Sequence, residues 1–139
     1  MSVDCFLDTN VLVYAAAGRD GEETKRNRAL QLIEGWSFGT SAQVMQEFYV
    51  TVTSKIEVPM SAAAALEWIE ELEAFPCLAV DVDLVKIAAE QSVRYRISYW
   101  DGAIVAAAGT LGAKTLFSED LNHGQRYGSV QVRNPFLAE

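Results

Sequence analysis

The sequence has little histidine and cysteine, and no hydrophobic run of membrane-spanning length. His123 is the only histidine and no Cys-x-x-Cys pair occurs, which argues against a structural zinc site. The two cysteines, Cys5 and Cys77, lie in apolar, strand-like runs, and we expect both to be small buried side chains in a reducing compartment. Because the N-terminus shows no basic segment followed by an apolar stretch, we expect a cytoplasmic protein with no membrane segment.

Several catalytic signatures are also absent. The chain has no Walker A sequence and no glycine-rich dinucleotide-binding loop, and the lack of a Gly-x-Ser-x-Gly elbow argues against a serine hydrolase. Basic residues are few, with 11 Lys and Arg against 19 Asp and Glu, for a formal net charge of −8. This balance argues against a nonspecific nucleic-acid coat protein, whose surface is basic overall. It does not argue against a nuclease, because active-site carboxylates contribute to the acidic total.

The remaining composition is that of a globular protein, since half of the 139 residues are apolar. We expect one domain, 1–139, large enough for a hydrophobic core. Strand-like and helix-like segments alternate, which predicts a three-layer α/β/α fold with a mainly parallel central sheet. The predicted strands are 3–7, 37–40, 77–80, 114–117 and 130–132, and the predicted helices are 11–17, 22–36, 42–55, 62–73, 83–96 and 101–111.

Three details of these helices are predicted from local patterns. Asn10 or Thr9 is the expected N-cap of the first helix, and Asp83 that of the fifth. The fifth helix is expected to bury a stripe made of Val85, Ala88, Ala89 and Val93. Trp100, at the start of the sixth helix, is expected to be buried against the sheet in preference to stacking on a nucleobase.

Four acidic residues are placed where a fold of this type gathers ligands. Asp8 follows the first strand and Asp120 lies three residues beyond strand 114–117, so both fall at the carboxyl edge of a parallel sheet. Glu47 interrupts an apolar helical segment, and Asp101 opens a helix whose dipole favours an anion. Each residue alone is typical of a turn, a cap or a solvated position. Together they favour an oxygen-rich site for Mg²⁺ or Mn²⁺.

Four segments carry a resemblance to a known family. They are Asp8-Thr9-Asn10-Val11-Leu12, the stretch 41–49 (SAQVMQEFY), Tyr99-Trp100-Asp101 and the stretch 116–124 (LFSEDLNHG). In this order and spacing they resemble the PIN-domain signature, and more closely that of the VapC-type toxins of bacterial toxin–antitoxin modules. The resemblance covers nearly the whole chain. It implies an α/β/α fold, Mg²⁺- or Mn²⁺-dependent endoribonuclease activity on RNA, an antitoxin protein as partner, and a homodimer.

The resemblance also implies roles for individual residues. Asp8, Glu47, Asp101 and Asp120 match the catalytic acids. Of these, Asp8, Asp101 and Asp120 are the expected metal ligands, while Glu47 would ligate the metal or orient the attacking water. Gly102 follows the third acid where the family more often has alanine, and should loosen the helix start slightly.

Further positions are candidates for supporting roles. Asn10 and Ser118 match polar positions that assist the site in relatives. Glu119 competes with Asp120 for the fourth acidic position, although neighbouring side chains of a strand alternate faces, so only one of them should point into the site. Arg126 and His123 are candidates for contact with the substrate phosphates.

Two alternatives stay open at this point. One is a PIN-like module that binds RNA or protein without turnover, which the presence of all four acids disfavours. The other is a different metal-dependent phosphodiesterase, or a phosphatase with Asp8 as nucleophile. Phosphatases of that kind usually carry a second acid two residues later, and here that position is Asn10.

Overall fold

The protein is built around a mainly parallel sheet. In a computed structural model, which describes residues 3–19 and 21–137, the sheet has six strands in the order β3-β2-β1-β4-β6-β5. The strands are β1 (Cys5–Leu7), β2 (Phe38–Ser41), β3 (Cys77–Leu78), β4 (Thr115–Phe117), β5 (Arg126–Tyr127) and β6 (Val130–Arg133). Neighbouring strands are parallel except β5 and β6, which form an antiparallel hairpin at one edge.

The helices follow the predicted order along the chain. They are α1 (Thr9–Ala17), α2 (Glu23–Gly35), α3 (Ala42–Val50), α4 (Ala62–Leu72), α5 (Val82–Tyr95) and α6 (Tyr99–Thr110). The third helix is shorter than predicted, because its α-helical part ends at Val50 and Thr51–Lys55 continues as a π-helical turn. No helix of the described ranges is both long and apolar enough to cross a membrane.

The strand order places a topological switch point beside β1. The chain runs from β1 to β2 and β3 on one side, and then returns to β4 on the other side of β1. Since crossovers between parallel strands are right-handed, α1 to α4 lie on one face of the sheet and α5 and α6 on the other. This arrangement confirms the predicted α/β/α class with its mainly parallel sheet. In such sheets, ligands bind at the carboxyl ends of the strands that flank the switch point, here β1 and β4.

The core occupies both faces of the sheet. All three residues of β1 are fully buried, and β2 and β6 contribute Phe38 and Val132 to the same cluster. Continuous apolar strands of this kind are expected where helices cover both faces. Helix α6 forms the centre of its layer, since Gly102 through Ala108 are all buried between α5 and the sheet.

Two of the predicted helix caps are wrong. Helix α1 is capped by Asp8, not by Asn10 or Thr9, and α5 is capped by Asp81, whose carboxylate accepts from the amide of Leu84, rather than by Asp83. In both cases the capping aspartate precedes the predicted cap in the chain. Its backbone is still extended, so its side chain can accept a hydrogen bond from one of the first free amides of the helix.

Three burial predictions are also wrong. Cys77 is exposed, because β3 is a two-residue strand at the edge of the sheet. On α5, Ala88 is buried as expected, but Val85 and Val93 are 41% and 79% exposed because the face toward α6 is formed by Leu84 and Ala88. Trp100 is 64% exposed, since the first turn of α6 projects beyond the layer that buries the rest of that helix.

Gly102 is required by the close approach of two helices. A Cβ atom at this position would lie 2.6 Å from the carbonyl oxygen of Ala88 and 3.0 Å from the amide nitrogen of Ser92, both backbone atoms of α5. The alanine that is more common after the third acid would therefore force α5 and α6 apart. Glycine at this position reflects the packing of this chain's helices and not only the helix start.

We predict that Gly102→Ala destabilises the protein by about 1–3 kcal/mol through overpacking. The matched control is Gly109→Ala in the same helix, where a Cβ would meet its nearest neighbour, Val130, at 3.8 Å. This control should stabilise the protein by up to about 1 kcal/mol, because alanine is the better helix former. Urea unfolding of both variants measures the difference, and equal stabilities would contradict the close helix contact.

Candidate active site

The side chain of Asp8 lies at the centre of the candidate site. It directly follows β1, is 6% exposed, and caps α1 by accepting a hydrogen bond of 2.7 Å from the amide of Thr9. Its second oxygen accepts a hydrogen bond of 2.7 Å from the hydroxyl of Ser118. Burial raises the pKa of Asp8 from 3.8 to about 6, the two hydrogen bonds oppose this shift, and the charges of Asp120 and Glu47 add to it.

Ser118 links the two central strands at the switch point. It is fully buried and follows β4, whose last residue, Phe117, lies beside Leu7 of β1 in the parallel register. Besides donating to Asp8, its hydroxyl oxygen accepts from the amides of Asp120 and Leu121, at 3.2 and 3.4 Å. One hydroxyl therefore fixes both the buried carboxylate and the turn that carries Asp120.

Asn10 connects the start of α1 to the same turn. Its amide nitrogen donates to a carboxylate oxygen of Asp120 at 3.0 Å, and its oxygen accepts from the amide of Glu119 at 3.4 Å. Asp120 itself is exposed and lines the cleft. The structure thus brings together four of the predicted site residues, Asp8, Asn10, Ser118 and Asp120.

Glu47 reaches the site from α3. Its carboxylate accepts hydrogen bonds from the hydroxyl of Thr9 at 3.4 Å and from the side-chain amide of Gln43 at 3.3 Å. Gln43 is buried, and the same amide nitrogen also donates to the backbone carbonyl of Trp100 at 3.2 Å. Sequence reasoning missed Gln43, although its position four residues before Glu47 places both on one face of the helix.

Asp101 lies outside the hydrogen-bonded group of Asp8, Ser118, Asn10 and Asp120, and it does not line the cleft. It occupies the first turn of α6, where its amide donates to the hydroxyl of Ser98, the N-cap of that helix. It is half-buried, and its charge contributes, after burial, to raising the pKa of Tyr127. Its connection to the other acids runs through the preceding residue, Trp100, whose carbonyl is bound by Gln43.

Glu119 points away from the cleft. Its carboxylate forms an ion pair with Lys25 of α2 and accepts a hydrogen bond of 2.8 Å from the hydroxyl of Tyr14 on α1. Lys25 also lies over the ring of Tyr14, at 4.8 Å from its centroid. Glu119 therefore attaches the turn after β4 to α1 and α2, while its neighbour Asp120 faces the cleft.

His123 and Arg126 lie apart from the acidic residues. The Nδ1 atom of His123 accepts from the backbone amide of Asn134 at 2.9 Å, which ties the loop after β4 to the end of β6. Arg126 is exposed on β5, the outermost strand of the sheet. Neither lines the cleft beside Asp120, so the structure does not bring these two predicted phosphate contacts to the acids.

An open cleft of about 820 Å³ extends from the acids along α1 and the π-helical turn. Asn10, Glu47, Asp120 and Trp100 line one end, where hydrogen bonds through Thr9 and Gln43 keep them close together. The walls are formed by residues of α1, α3 and the π-helical turn, namely Thr9, Val13, Tyr14, Ala17, Gln43, Gln46, Val50 and Thr51. The far end is lined by Arg19, Glu22 and the segment 55–58, and Arg19 forms ion pairs with Glu57 and Glu22.

The donor set of the site suits a hard divalent cation. Its donors are carboxylate and amide oxygens, which Mg²⁺ and Mn²⁺ prefer. Among the residues that the structure describes, no three Asp, Glu, His or Cys side chains lie close enough together to form a complete metal cage. Mg²⁺ does not need one, because it keeps several waters and is usually held by only one or two carboxylates. Asp8 and Asp120, whose charges interact at the switch point, are the candidates for such a pair.

Comparison with known proteins identifies the fold. A sequence profile described as PIN domain matches residues 5–128. No curated protein shows significant sequence similarity to the chain.

Similar solved structures are toxins or toxin–antitoxin complexes. A toxin–antitoxin complex from Klebsiella pneumoniae has a TM-score of 0.71 at 18% identity, covering 95% of this chain and 98% of the other. The sarcin–ricin-loop-cleaving toxin VapC20 of Mycobacterium tuberculosis has a TM-score of 0.66 at 21% identity, covering 84% and 91%. VapBC2 from Rickettsia felis, bound to promoter DNA, has a TM-score of 0.64 at 18% identity, covering 93% and 96%. At these identities the likeness establishes the shared fold.

The raised pKa of Asp8 predicts how stability depends on pH in the absence of metal. Because the folded protein holds the proton more tightly than the unfolded chain, the Asp8 contribution is most favourable below pH 3.8 and is lost as pH rises through about 6. Asp8→Asn removes the ionisable group, and with it the loss of stability that its deprotonation causes. The variant should therefore be more stable than wild type by about 3 kcal/mol near neutral pH, and should lose this advantage near pH 4.

Urea unfolding in the presence of a chelator, near pH 4 and near pH 7.5, measures this difference. Asp83→Asn is the matched control, since that carboxylate is exposed on α5 and distant from the site along the chain. A difference between Asp8→Asn and wild type that does not change with pH would contradict the effect of burial.

Proposed function

The chain belongs to the PIN-domain family, and on this basis we propose that it is a divalent-metal-dependent endoribonuclease, the VapC-type toxin of a toxin–antitoxin pair. The observation that carries the proposal is the carboxylate of Asp8, which is buried at the switch point beside an open cleft. The negative charges of Asp120 and Glu47 contribute to raising its pKa. The similar structures support the assignment, because they include VapC20, a sarcin–ricin-loop-cleaving toxin, and toxin–antitoxin complexes.

We propose that Asp8, Asp101 and Asp120 would hold the metal, Mg²⁺ or Mn²⁺, directly or through water. The cation would hold the scissile phosphate and supply an activated water as the nucleophile. Ser118 holds Asp8 by its hydroxyl, and Asn10 holds Asp120 by its amide. Glu47, kept in place by Gln43 and Thr9, is exposed and faces the cleft, so it accepts a proton from the water or orients it.

The geometry counts against the phosphatase alternative. A second acid two residues after Asp8 would be needed to protonate the leaving group, and Asn10 occupies that position. Its amide donates to Asp120, so it acts as a positioning group for an acceptor. An RNA substrate also agrees with a cytoplasmic location, which we propose for the protein.

An antitoxin and a second copy of the chain are the proposed protein partners. Toxin–antitoxin complexes among the similar structures support the first of these. For the second, α5 presents an outward apolar stripe, Val82, Val85, Ala89 and Val93, at helical spacing and opposite the buried Leu84 and Ala88. An exposed stripe of this kind is typical of a surface that pairs.

We predict that purified protein cleaves single-stranded RNA only with Mg²⁺ or Mn²⁺, and that Asp8→Asn and Asp120→Asn each reduce the rate by at least about a hundredfold. Both substitutions should also abolish growth arrest on expression and weaken Mn²⁺ binding in calorimetry. Glu119→Gln is the matched control, because Glu119 lies beside Asp120 in sequence but is bound to Lys25 and Tyr14. Loss of the Glu119 charge should change Mn²⁺ affinity by less than about fivefold, because the ion pair it forms is partly exposed.

The opposite ranking, with Glu119→Gln inactive and Asp120→Asn active, would show that the fourth acid is Glu119. Normal Mn²⁺ binding without any RNA cleavage would favour the binding module without turnover. Cleavage that persists in Asp8→Asn combined with Asp120→Asn would refute the proposed metal site.

We predict that the protein is a dimer, and that Val85→Glu combined with Val93→Glu converts it to a monomer, because two charges cannot be buried unpaired in an apolar interface. Size-exclusion chromatography with light scattering measures the mass. Arg94→Glu is the control, since this residue is exposed on the same helix but lies more than about 90° around the helix from the stripe. A dimer that survives the double substitution would place the interface elsewhere.

A further inference from the structure

The indole of Trp100 is the largest exposed apolar surface at the acidic end of the cleft. It is 64% exposed, although Gly102 through Ala108 of the same helix are all buried. Leaving an aromatic side chain in water forgoes the favourable free energy that its burial would give. The other two tryptophans, Trp36 and Trp68, are 37% exposed and half-buried respectively.

The position of this indole is fixed from two sides. The backbone carbonyl of Trp100 accepts a hydrogen bond of 3.2 Å from the side-chain amide of the buried Gln43. Its ring stands edge-to-face against Tyr99, with the centroids 5.1 Å apart and the planes at 84°. Tyr99 in turn packs on the cluster of Leu84, Ala88, Ala103 and Ala106 between α5 and α6. The ring is therefore held above the cleft by the fold, with a face open to solvent.

Trp100 is also connected to the carboxylates, through the side chain of Gln43. Gln43 contacts both its carbonyl and the carboxylate of Glu47, through a single amide nitrogen. Trp100, Glu47 and Asp120 line the same end of the cleft. A ligand that reaches the acids therefore passes beside the indole.

The charge of the cleft indicates which part of a nucleic acid the indole would contact. Asp8, Glu47 and Asp120 repel phosphates wherever no cation screens them, and the protein as a whole carries a net charge of −8. Stacking of a base on an aromatic ring is uncharged and does not depend on counterions in the way that phosphate contacts do. An acidic protein gains affinity for a polyanion most readily through the bases.

We propose that Trp100 forms a stacking subsite for a nucleobase next to the scissile phosphate of a single-stranded RNA. The inference depends on the proposed ribonuclease function and adds a binding residue to it. Because a stacking surface accepts any base, the subsite would contribute affinity with little sequence preference, and other contacts would select the sequence.

Binding of two labelled oligonucleotides tests the proposal. One is single-stranded oligo(U) and the other is an abasic ribose-phosphate oligomer of the same length and charge, both measured by fluorescence anisotropy. The protein carries Asp8→Asn, so that neither probe is cleaved. Trp100→Ala should weaken oligo(U) binding by about fivefold to a hundredfold, the equivalent of about 1–3 kcal/mol for one stacked base, and should leave binding of the abasic oligomer unchanged.

Two further variants separate stacking from other roles. Trp100→Phe keeps an aromatic face and should retain most of the affinity, whereas Trp100→Leu keeps an apolar side chain and should resemble Trp100→Ala. Trp36→Phe, outside the cleft, should bind both probes as the parent does. In the active protein, Trp100→Ala should raise KM for RNA more than it lowers kcat.

Equal losses for oligo(U) and the abasic oligomer would overturn the proposal, and so would unchanged oligo(U) binding in Trp100→Ala. If Trp100→Ala weakened binding of a protein partner but not of oligo(U), the indole would instead be a protein contact. These failures differ from failure of the proposed function. In that case the protein with all four acids would not cleave RNA, whatever residue stood at position 100.

Discussion

The candidate site of this protein is organised around one buried carboxylate held between two parallel strands. Leu7 and Phe117 lie side by side at the ends of β1 and β4, so the residues that follow them, Asp8 and Ser118, meet at the switch point. The carboxylate of Asp8 is removed from water and close to other negative charges, and its two hydrogen bonds offset only part of the cost, as its raised pKa shows. The fold thus maintains an unfavourable charge where a cation would relieve it.

The groups around Asp8 are organised by the bonds that hold it. By accepting from the amide of Thr9, the carboxylate sets the start of α1, which places Asn10 within reach of Asp120. By binding Ser118, it engages the hydroxyl that also fixes the turn carrying Asp120. The two acids are therefore not independent. A change that moves Ser118 would disturb both of them, as well as the beginning of the helix that forms one wall of the cleft.

The sequence was sufficient to predict features that follow from strand order, and insufficient for those that depend on how helices meet. Asp8 and Asp120 could be assigned to one edge because each follows a parallel strand. The structure separates Glu119 from Asp120 through Lys25 and Tyr14, which are distant in sequence. The exposure of Trp100 was predicted wrongly, because its apolar helix indicates burial and only the contact with Gln43 of α3 reveals where that helix emerges.

Cys77 and the stripe on α5 illustrate the same limit. An apolar strand or helix face predicts burial, but a strand at the edge of the sheet and a helix in the outer layer each have a side that the chain itself does not cover. The local sequence pattern cannot distinguish a face that is buried in the core from a face that binds a partner, because both are apolar so that they can be removed from water. The exposed residues on α5 and at Trp100 are therefore informative as exceptions. In each case the packing of the chain itself does not account for an apolar side chain in water, and we therefore assign both to proposed binding surfaces.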